Sequence, residues 1–149
     1  MPVNPQLVER EFPPTAPYLV GREKVREFAR AVFADAPQHH DPAAARALGY
    51  ADVVAPPTFA MVVQDLTLQL LLAEPDSGIV LSRVLHGEQR FRYTRPIVAG
   101  DELTATLHVR TIRAVGGNAM VTSDADIVDA SGSHVVTATS VLVVGEEAA

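Results

Sequence analysis

The feature that most constrains the fold is the stretch of residues 55–73, APPTFAMVVQDLTLQLLLA, which is apolar almost throughout. Two prolines lie at its start, and Pro75 and Gly78 follow its end, where such residues stop helices. The stretch therefore predicts one long helix, and a helix that is apolar nearly all round must be buried. About 15 helical residues span roughly 22 Å, less than the hydrocarbon core of a bilayer. We expect a core helix that other elements surround.

The second half of the chain carries the strand signal. Apolar and polar residues alternate there in four runs, separated by short turns rich in glycine. The runs cover residues 90–93, 102–110, 120–127 and 134–144, with glycine turns at 115–118 and 129–133. Alternation with a period of two predicts antiparallel strands that have one face against a core and one face in water. We predict an antiparallel meander.

The first half of the chain predicts shorter elements. Residues 18–20 form a short first strand, and residues 21–34 repeat apolar side chains at the spacing of an amphipathic helix. Asp41 is placed to cap a short helix over residues 43–48, which Gly49 ends.

The whole chain, residues 1–149, fits one domain. Four prolines predict an irregular segment over residues 1–14, and residues 146–149 are expected to form a frayed tail. A helix that is apolar all round needs a curved sheet around it, and a sheet with one apolar face needs that helix. The predicted fold is therefore α+β, a single hot-dog fold. Its open sheet edges predict dimerisation.

Composition excludes several functions. A net charge of −6 argues against a general role in nucleic-acid binding. Cysteine is absent, which leaves no disulfide or thiol nucleophile and fits a cytoplasmic location. The start of the chain has no signal-peptide pattern, and no span long enough for a membrane follows. No metal-ligand spacing and no phosphate or dinucleotide motif is present, so neither metal nor cofactor is predicted.

Four segments, in order, resemble a known family: GREKVREFARAV, HHDPAAARALGY, APPTF and LHGEQRFRYTRPIVAGDEL. The chain resembles the MaoC-like hot-dog dehydratases and, among them, the FAS1-like dehydratase type. It is most similar to the substrate-binding subunit of the actinobacterial (3R)-hydroxyacyl-ACP dehydratase. The resemblance implies a role in fatty-acid metabolism, with dehydration of a (3R)-3-hydroxyacyl thioester to the trans-2-enoyl thioester, or the reverse hydration. The thioester carrier is acyl carrier protein or coenzyme A.

The resemblance also implies where the chemistry lies. Active members of the family carry a pattern like Gly-Asp-x-Asn-Pro-x-His ahead of the central helix. Alignment on Pro37 puts Phe33 at the glycine and His39 at the catalytic histidine, but places Ala34 at the aspartate and Ala36 at the asparagine. The loss of an acid/base group without compensation costs orders of magnitude in rate.

The remaining candidates for catalysis are His39, His40 and Asp35. Asp35 lies one residue out of register, and His40 matches relatives that carry Tyr-His-Asp at this place. Each residue also has a plain structural interpretation. The two histidines can belong to a polar loop, and an Asp-Ala-Pro sequence is typical of turns.

The predicted substrate-binding residues lie at the start of the central helix. Backbone N–H groups of Thr58 and Phe59 are candidates to hold the thioester oxygen, since the N-terminal end of a helix is positive. Thr58 can equally be a helix cap. Pro57 belongs to the same turn, and Phe59, Val62 and Val63 are expected to line an acyl tunnel beside the helix.

Three functions remain open at this point. The first is an acyl-binding subunit that forms a heterodimer with a catalytic hot-dog partner. The second is a self-sufficient homodimeric enoyl-thioester hydratase that uses His39 or His40 with Asp35. The third is an acyl-thioester-binding protein without catalysis.

Overall fold

The computed structural model describes residues 2–146. The strands are β1 (Tyr18–Leu19), β2 (Val84–Tyr93), β3 (Glu102–Val115), β4 (Asn118–Val128) and β5 (His134–Val144). The helices are α1 (Arg22–Ala31), α2 (Pro42–Ala47) and α3 (Ala60–Ala73), with 3-10 turns at Pro5–Glu9, Pro37–His39, Pro57–Phe59 and Leu81–Arg83. Of the predicted tail, residues 147–149 lie outside the described residues.

The five strands form one antiparallel sheet in the order β1-β3-β4-β5-β2. The sheet packs on the central helix α3, which confirms the expected hot-dog arrangement. The predicted meander is right for β3, β4 and β5. It is wrong for β2, which pairs with β5 instead of β3. Alternation reports which face a side chain occupies, and it carries no information on which strand lies beside it.

The inner face of the sheet forms two apolar clusters along α3. The first surrounds the start of the helix and includes Phe59, Val63 and Leu103. The second surrounds the end of the helix and includes Leu71 and Val121. The N-terminal half of α3 is thereby fixed against the strands that also build the cleft described below.

The central helix is not buried on all sides, in contrast to the prediction. Its inward face is covered, with Val63 at 0% and Leu71 at 1% exposure. On other sides Asp65 and Gln69 are exposed, and Leu66 is only half-buried. The physical reason is that a single curled sheet covers one side of a helix. The opposite side of the helix is therefore only partly covered, and it includes the half-buried Leu66.

The N-terminal segment is packed against the fold, although only residues 5–9 within it are helical. Val3 and Leu7 are fully buried in the second cluster. The backbone N–H of Asn4 donates to the carbonyl of Ser77 over 3.0 Å. The Arg10 guanidinium lies 2.7 Å from a carboxylate oxygen of Glu74. These contacts hold the segment across the end of α3.

Within residues 2–146, α3 and the other helices are all too short or too polar to cross a lipid bilayer.

Candidate active site

A cleft of about 420 Å³ opens beside the start of the central helix. Its lining residues are Gln38, His39, Val54, Ala55, Pro57, Tyr93, Thr94, Arg95 and Pro96. The volume is within the range of small-molecule sites in proteins. Three elements meet at the cleft: the 3-10 turn Pro37–His39, the 3-10 turn Pro57–Phe59 and the end of β2.

Residues 53–55 form an extended segment, and Val54 and Ala55 of this segment line the cleft. The Val54 N–H donates to the carbonyl of Gln38 over 2.9 Å, and the Ala55 N–H donates to the carbonyl of Ile97 over 2.8 Å. Two prolines follow directly and fix the backbone as the chain enters the 3-10 turn Pro57–Phe59. The same segment therefore positions the histidine turn and the start of the helix relative to each other.

His39 contributes an imidazole ring to the cleft. Its Nδ1 lies 2.6 Å from the carbonyl oxygen of Val54. Because a carbonyl only accepts, Nδ1 carries the proton in the neutral ring and Nε2 keeps its lone pair. The contact with Val54 thereby fixes both the tautomer and the orientation of the ring. Nε2 can accept a proton or a hydrogen bond from a ligand.

Tyr93 ties the end of β2 to the start of the helix. Its hydroxyl donates to the carbonyl of Pro57. Burial raises the pKa of Tyr93 to about 12, against an opposing interaction with the backbone of Ala60. The phenol therefore stays protonated at neutral pH and keeps the cleft wall in place. The sequence analysis did not identify Tyr93 as a residue of the site. The available signal was its position on the inner face of the strand.

Arg95 supplies the positive charge at the rim of the cleft. Its guanidinium lies 2.8 Å from a carboxylate oxygen of Asp101 and 3.2 Å from one of Asp129. Hydrogen bonds from Ser131, together with Arg95, lower the pKa of Asp129 to about 2. The Asp129 carboxylate is therefore ionised at neutral pH, and Arg95 lies within ion-pair distance of both Asp101 and Asp129. They lie outside the lining of the cleft, which contains no Asp or Glu.

The other two predicted catalytic residues do not line the cleft. The Nε2 of His40 lies 2.8 Å from the carbonyl oxygen of Ala34, and the carbonyl of His40 accepts from Arg26 over 2.8 Å. The ring of His40 therefore packs toward the end of α1. Asp35 is exposed, and its carboxylate makes no hydrogen bond or ion pair with the described residues. The structure does not bring His39, His40 and Asp35 together.

The predicted substrate-binding residues separate into two groups. Pro57 lines the cleft, and Thr58 is exposed in the first helical turn. The Phe59 N–H donates to the carbonyl of Pro56 over 2.9 Å, so of the two predicted backbone donors only that of Thr58 is left for a ligand. Phe59 and Val63 are fully buried in the first cluster, and Val62 is half-buried against it. None of these three side chains lines the cleft in this structure. A ligand that reaches Phe59 or Val63 has to displace core side chains.

Phe33 has an unusual backbone conformation that bears on the motif alignment. Its φ is +59°, the left-handed region that favours glycine. The alignment on Pro37 places Phe33 at the glycine of the family pattern. The backbone at this position therefore has the conformation that the pattern's glycine would adopt, which supports the register that assigns His39.

Replacement of Phe33 by glycine is expected to raise the free energy of unfolding by up to about 1 kcal/mol. The ring is 86% exposed, so little packing is lost. A left-handed conformation costs a residue with a side chain about 1–2 kcal/mol, and the extra freedom of glycine in the unfolded chain offsets part of that gain. Urea denaturation measures the change.

The neighbouring Val32→Gly variant serves as the control. Val32 has an ordinary φ of −104°, so glycine there should destabilise the chain by about 0.5–1 kcal/mol. A loss of stability in both variants would show that the backbone at Phe33 is not strained.

The described residues contain no group of three or more His, Asp or Glu side chains that could hold a metal ion. The side chains that line the cleft include the imidazole of His39, the phenol of Tyr93 and the guanidinium of Arg95.

Known protein sequences match nearly the whole chain. The sequence model of the FAS1-like dehydratase domain region matches residues 6–138. A UPF0336 protein from Clavibacter michiganensis subsp. michiganensis is 66% identical over 149 residues, which cover 99% of this chain and 100% of the relative.

Solved structures show the same fold. A chain of the C-terminally truncated HadBC complex, a (3R)-hydroxyacyl-ACP dehydratase from Mycobacterium tuberculosis, is 32% identical and superimposes with a TM-score of 0.79. The match covers 89% of this chain and 92% of that chain. A MaoC-like dehydratase is 39% identical with a TM-score of 0.78, and the match covers 91% of this chain and 41% of that protein.

Proposed function

Since the chain belongs to the FAS1-like dehydratase family of MaoC-like hot-dog proteins, we propose that it is the acyl-thioester-binding subunit of a two-subunit dehydratase. The observation that carries the proposal is the composition of the cleft, which offers the free Nε2 of His39 but no carboxylate. Dehydration of a 3-hydroxyacyl thioester requires a base for the α proton and an acid for the leaving oxygen. A partner subunit with an intact Asp/His pair would supply both.

The role of this chain is then to hold the thioester. The start of the helical segment presents the backbone N–H of the exposed residue Thr58 at the positive end of the helix dipole. Donors placed there stabilise the negative charge that develops on the thioester oxygen as the α proton leaves. The acyl group would extend from the cleft along α3. Its carrier is either acyl carrier protein or coenzyme A.

Two features of β2 support the presence of a partner. One edge of β2 pairs with β5, and its other edge has no strand partner among residues 2–146. Leu85 on this strand is 71% exposed. Open edges of this kind are normally covered in native proteins. The related HadBC protein is named as a complex, which fits a second hot-dog subunit at these surfaces.

The test is hydration of crotonyl-CoA and of a longer enoyl-CoA, followed as loss of the conjugated thioester absorbance. The chain alone is compared with the chain mixed with a hot-dog protein of the same genome that carries the intact Gly-Asp-x-Asn-Pro-x-His pattern. We expect the mixture to turn over about 10²–10⁴ times faster than the chain alone, the usual contribution of acid–base catalysis. The two proteins should also co-purify. Turnover by the chain alone at the rate of the mixture would contradict the proposal.

A second function, a self-sufficient homodimeric hydratase, is favoured by the free Nε2 of His39. It predicts turnover by the chain alone that is lost in the His39→Ala variant. His40→Ala is the matched control, because the ring of His40 contacts the carbonyl of Ala34 and not the cleft. Thioester binding with no turnover, alone or with the partner, would instead indicate a binding protein without catalysis.

A further inference from the structure

A belt of polar side chains interrupts the core between the two apolar clusters. Gln64 and Thr67 of α3 are 7% and 2% exposed, and Ser123 and Ser140 of the facing strands are 5% and 4% exposed. The two serine hydroxyls lie 3.3 Å apart. Burial of polar groups in a core is unfavourable unless they are hydrogen-bonded, so a belt of this kind requires an explanation.

One hydrogen bond of this region joins the central helix to the edge strand. The Nε2 of Gln89 in β2 donates to the Oε1 of Gln64 in α3 over 2.8 Å. The Oε1 of Gln89 is itself buried, and within residues 2–146 it is the one buried side-chain nitrogen or oxygen without a hydrogen-bond partner. An unpaired buried acceptor is rare in native structures. Two amides therefore face each other across the helix–strand boundary, and one of them is incompletely satisfied.

A small cavity of about 50 Å³ adjoins this pair. Gln64 and Leu68 of α3 line it, together with His86, Leu107, Ser123 and Ser140 of the strands. Its volume holds a few water molecules. It has no room for an acyl chain unless the surrounding side chains move.

The cleft and the cavity lie along the same boundary between α3 and β2. The helix and the strand run antiparallel there, so residues further along the helix contact or adjoin residues earlier in the strand. Tyr93 contacts Pro57, Gln89 contacts Gln64, and His86 lines the cavity together with Leu68. The glutamine pair therefore lies between the cleft and the cavity.

We propose that the Gln64–Gln89 hydrogen bond is a gate that sets the length of the acyl chain. The inference rests on the proposed function, in which the thioester lies at the start of the helix. From Thr58 to Gln64 the helix rises about 9 Å at 1.5 Å per residue. An extended chain advances about 1.2 Å per bond, so roughly seven carbons reach the pair. A longer chain has to separate the two amides and leave them unpaired against hydrocarbon, which opposes its binding.

The experiment measures binding of butyryl-, octanoyl-, dodecanoyl- and hexadecanoyl-CoA by calorimetry. It compares the unmodified chain with the double variant Gln64→Leu/Gln89→Leu. The unmodified chain should bind the two shorter thioesters and lose about tenfold or more in affinity at dodecanoyl-CoA. The double variant has no amides to separate, so it should regain about tenfold or more for the two longer thioesters and bind butyryl-CoA as before.

Two further variants keep the test decisive. Gln89→Met preserves side-chain length with one amide left, and it should show part of the gain if the double variant fails to fold. Gln69→Leu removes an exposed amide from the same helix, 3.4 Å from Asp65, and should change none of the affinities. The gate alone would be overturned if the unmodified chain bound all four thioesters with equal affinity. It would also be overturned if the affinities of the folded glutamine variants were unchanged. Failure of every folded form to bind any thioester would overturn the proposed function and the gate with it.

Discussion

Replacement of Phe59 by alanine is expected to lower the free energy of unfolding by about 3–5 kcal/mol, the range for a large aromatic side chain lost from a core. Phe59 is fully buried and belongs to the first apolar cluster. Its ring packs edge-on against Phe28, with centroids 5.3 Å apart and planes at 78°. Because the residue precedes α3 directly, the cavity would also loosen the start of the central helix. The midpoint of urea denaturation measures the loss.

Phe33→Ala is the matched control for this prediction. Phe33 is the same residue type, but its side chain is 86% exposed. Alanine there keeps the left-handed backbone and removes little packing, so we expect a change of less than about 0.5 kcal/mol. Similar losses in the two variants would mean that the ring of Phe59 is not a core element, and the described packing of the helix start would then be wrong.

The Gly78→Ala variant is expected to lose about 3 kcal/mol or more of stability. Gly78 has a φ of +73°, and a Cβ there would lie 1.9 Å from the carbonyl oxygen of Pro2. The left-handed backbone alone costs an alanine about 1–2 kcal/mol. Relief of the clash requires the N-terminal segment to move, which exposes Val3 and forfeits a further contribution of about 1.5–3 kcal/mol. Thermal or urea denaturation measures the total.

Gly100→Ala separates the two contributions. Gly100 also has a positive φ, +97°, but a Cβ there meets no atom within 4 Å. Its substitution should therefore cost only the conformational term of about 1–2 kcal/mol. If Gly78→Ala were no more destabilising than Gly100→Ala, the N-terminal segment would not be docked against the turn at residue 78.

Local pattern predicted most of the secondary structure because those elements depend on nearby residues. The last strand was predicted over residues 134–144, and β5 spans His134–Val144. Asp41 was predicted to cap the helix that follows, and its carboxylate accepts from the Ala43 N–H over 2.9 Å. In both cases the signal lies within a few residues of the feature itself.

The order of the strands and the walls of the cleft could not be predicted in this way. Tyr93 contacts Pro57 from a position 36 residues further along the chain, and Arg95 contacts Asp129 across 34 residues. Alternation placed Tyr93 on the inner face of its strand but could not place β2 beside α3. Neighbours of this kind are set by packing across the whole fold, and no local pattern records them.

The candidate site could likewise be predicted only in part from the sequence. The resemblance assigned His39 by alignment, and the structure places its ring in the cleft. The sequence left open whether Asp35 or His40 lies beside it, because one residue of loop geometry decides that question. The left-handed φ of Phe33 is a backbone property that the residue type itself does not indicate.

The docked N-terminal segment also has a consequence for the order in which the protein matures on the ribosome. The hydroxyl of Thr15 accepts from the N–H of Ala105, a residue 90 positions later in the chain. At about 5–20 residues per second, that partner is synthesised roughly 5–18 s after Thr15. Val3 and Leu7, which need strands of the second half to cover them, remain exposed throughout this interval. Val3 and Leu7 are therefore translated well before the strands that cover them, and a nascent chain that stalls before β3 leaves their side chains uncovered.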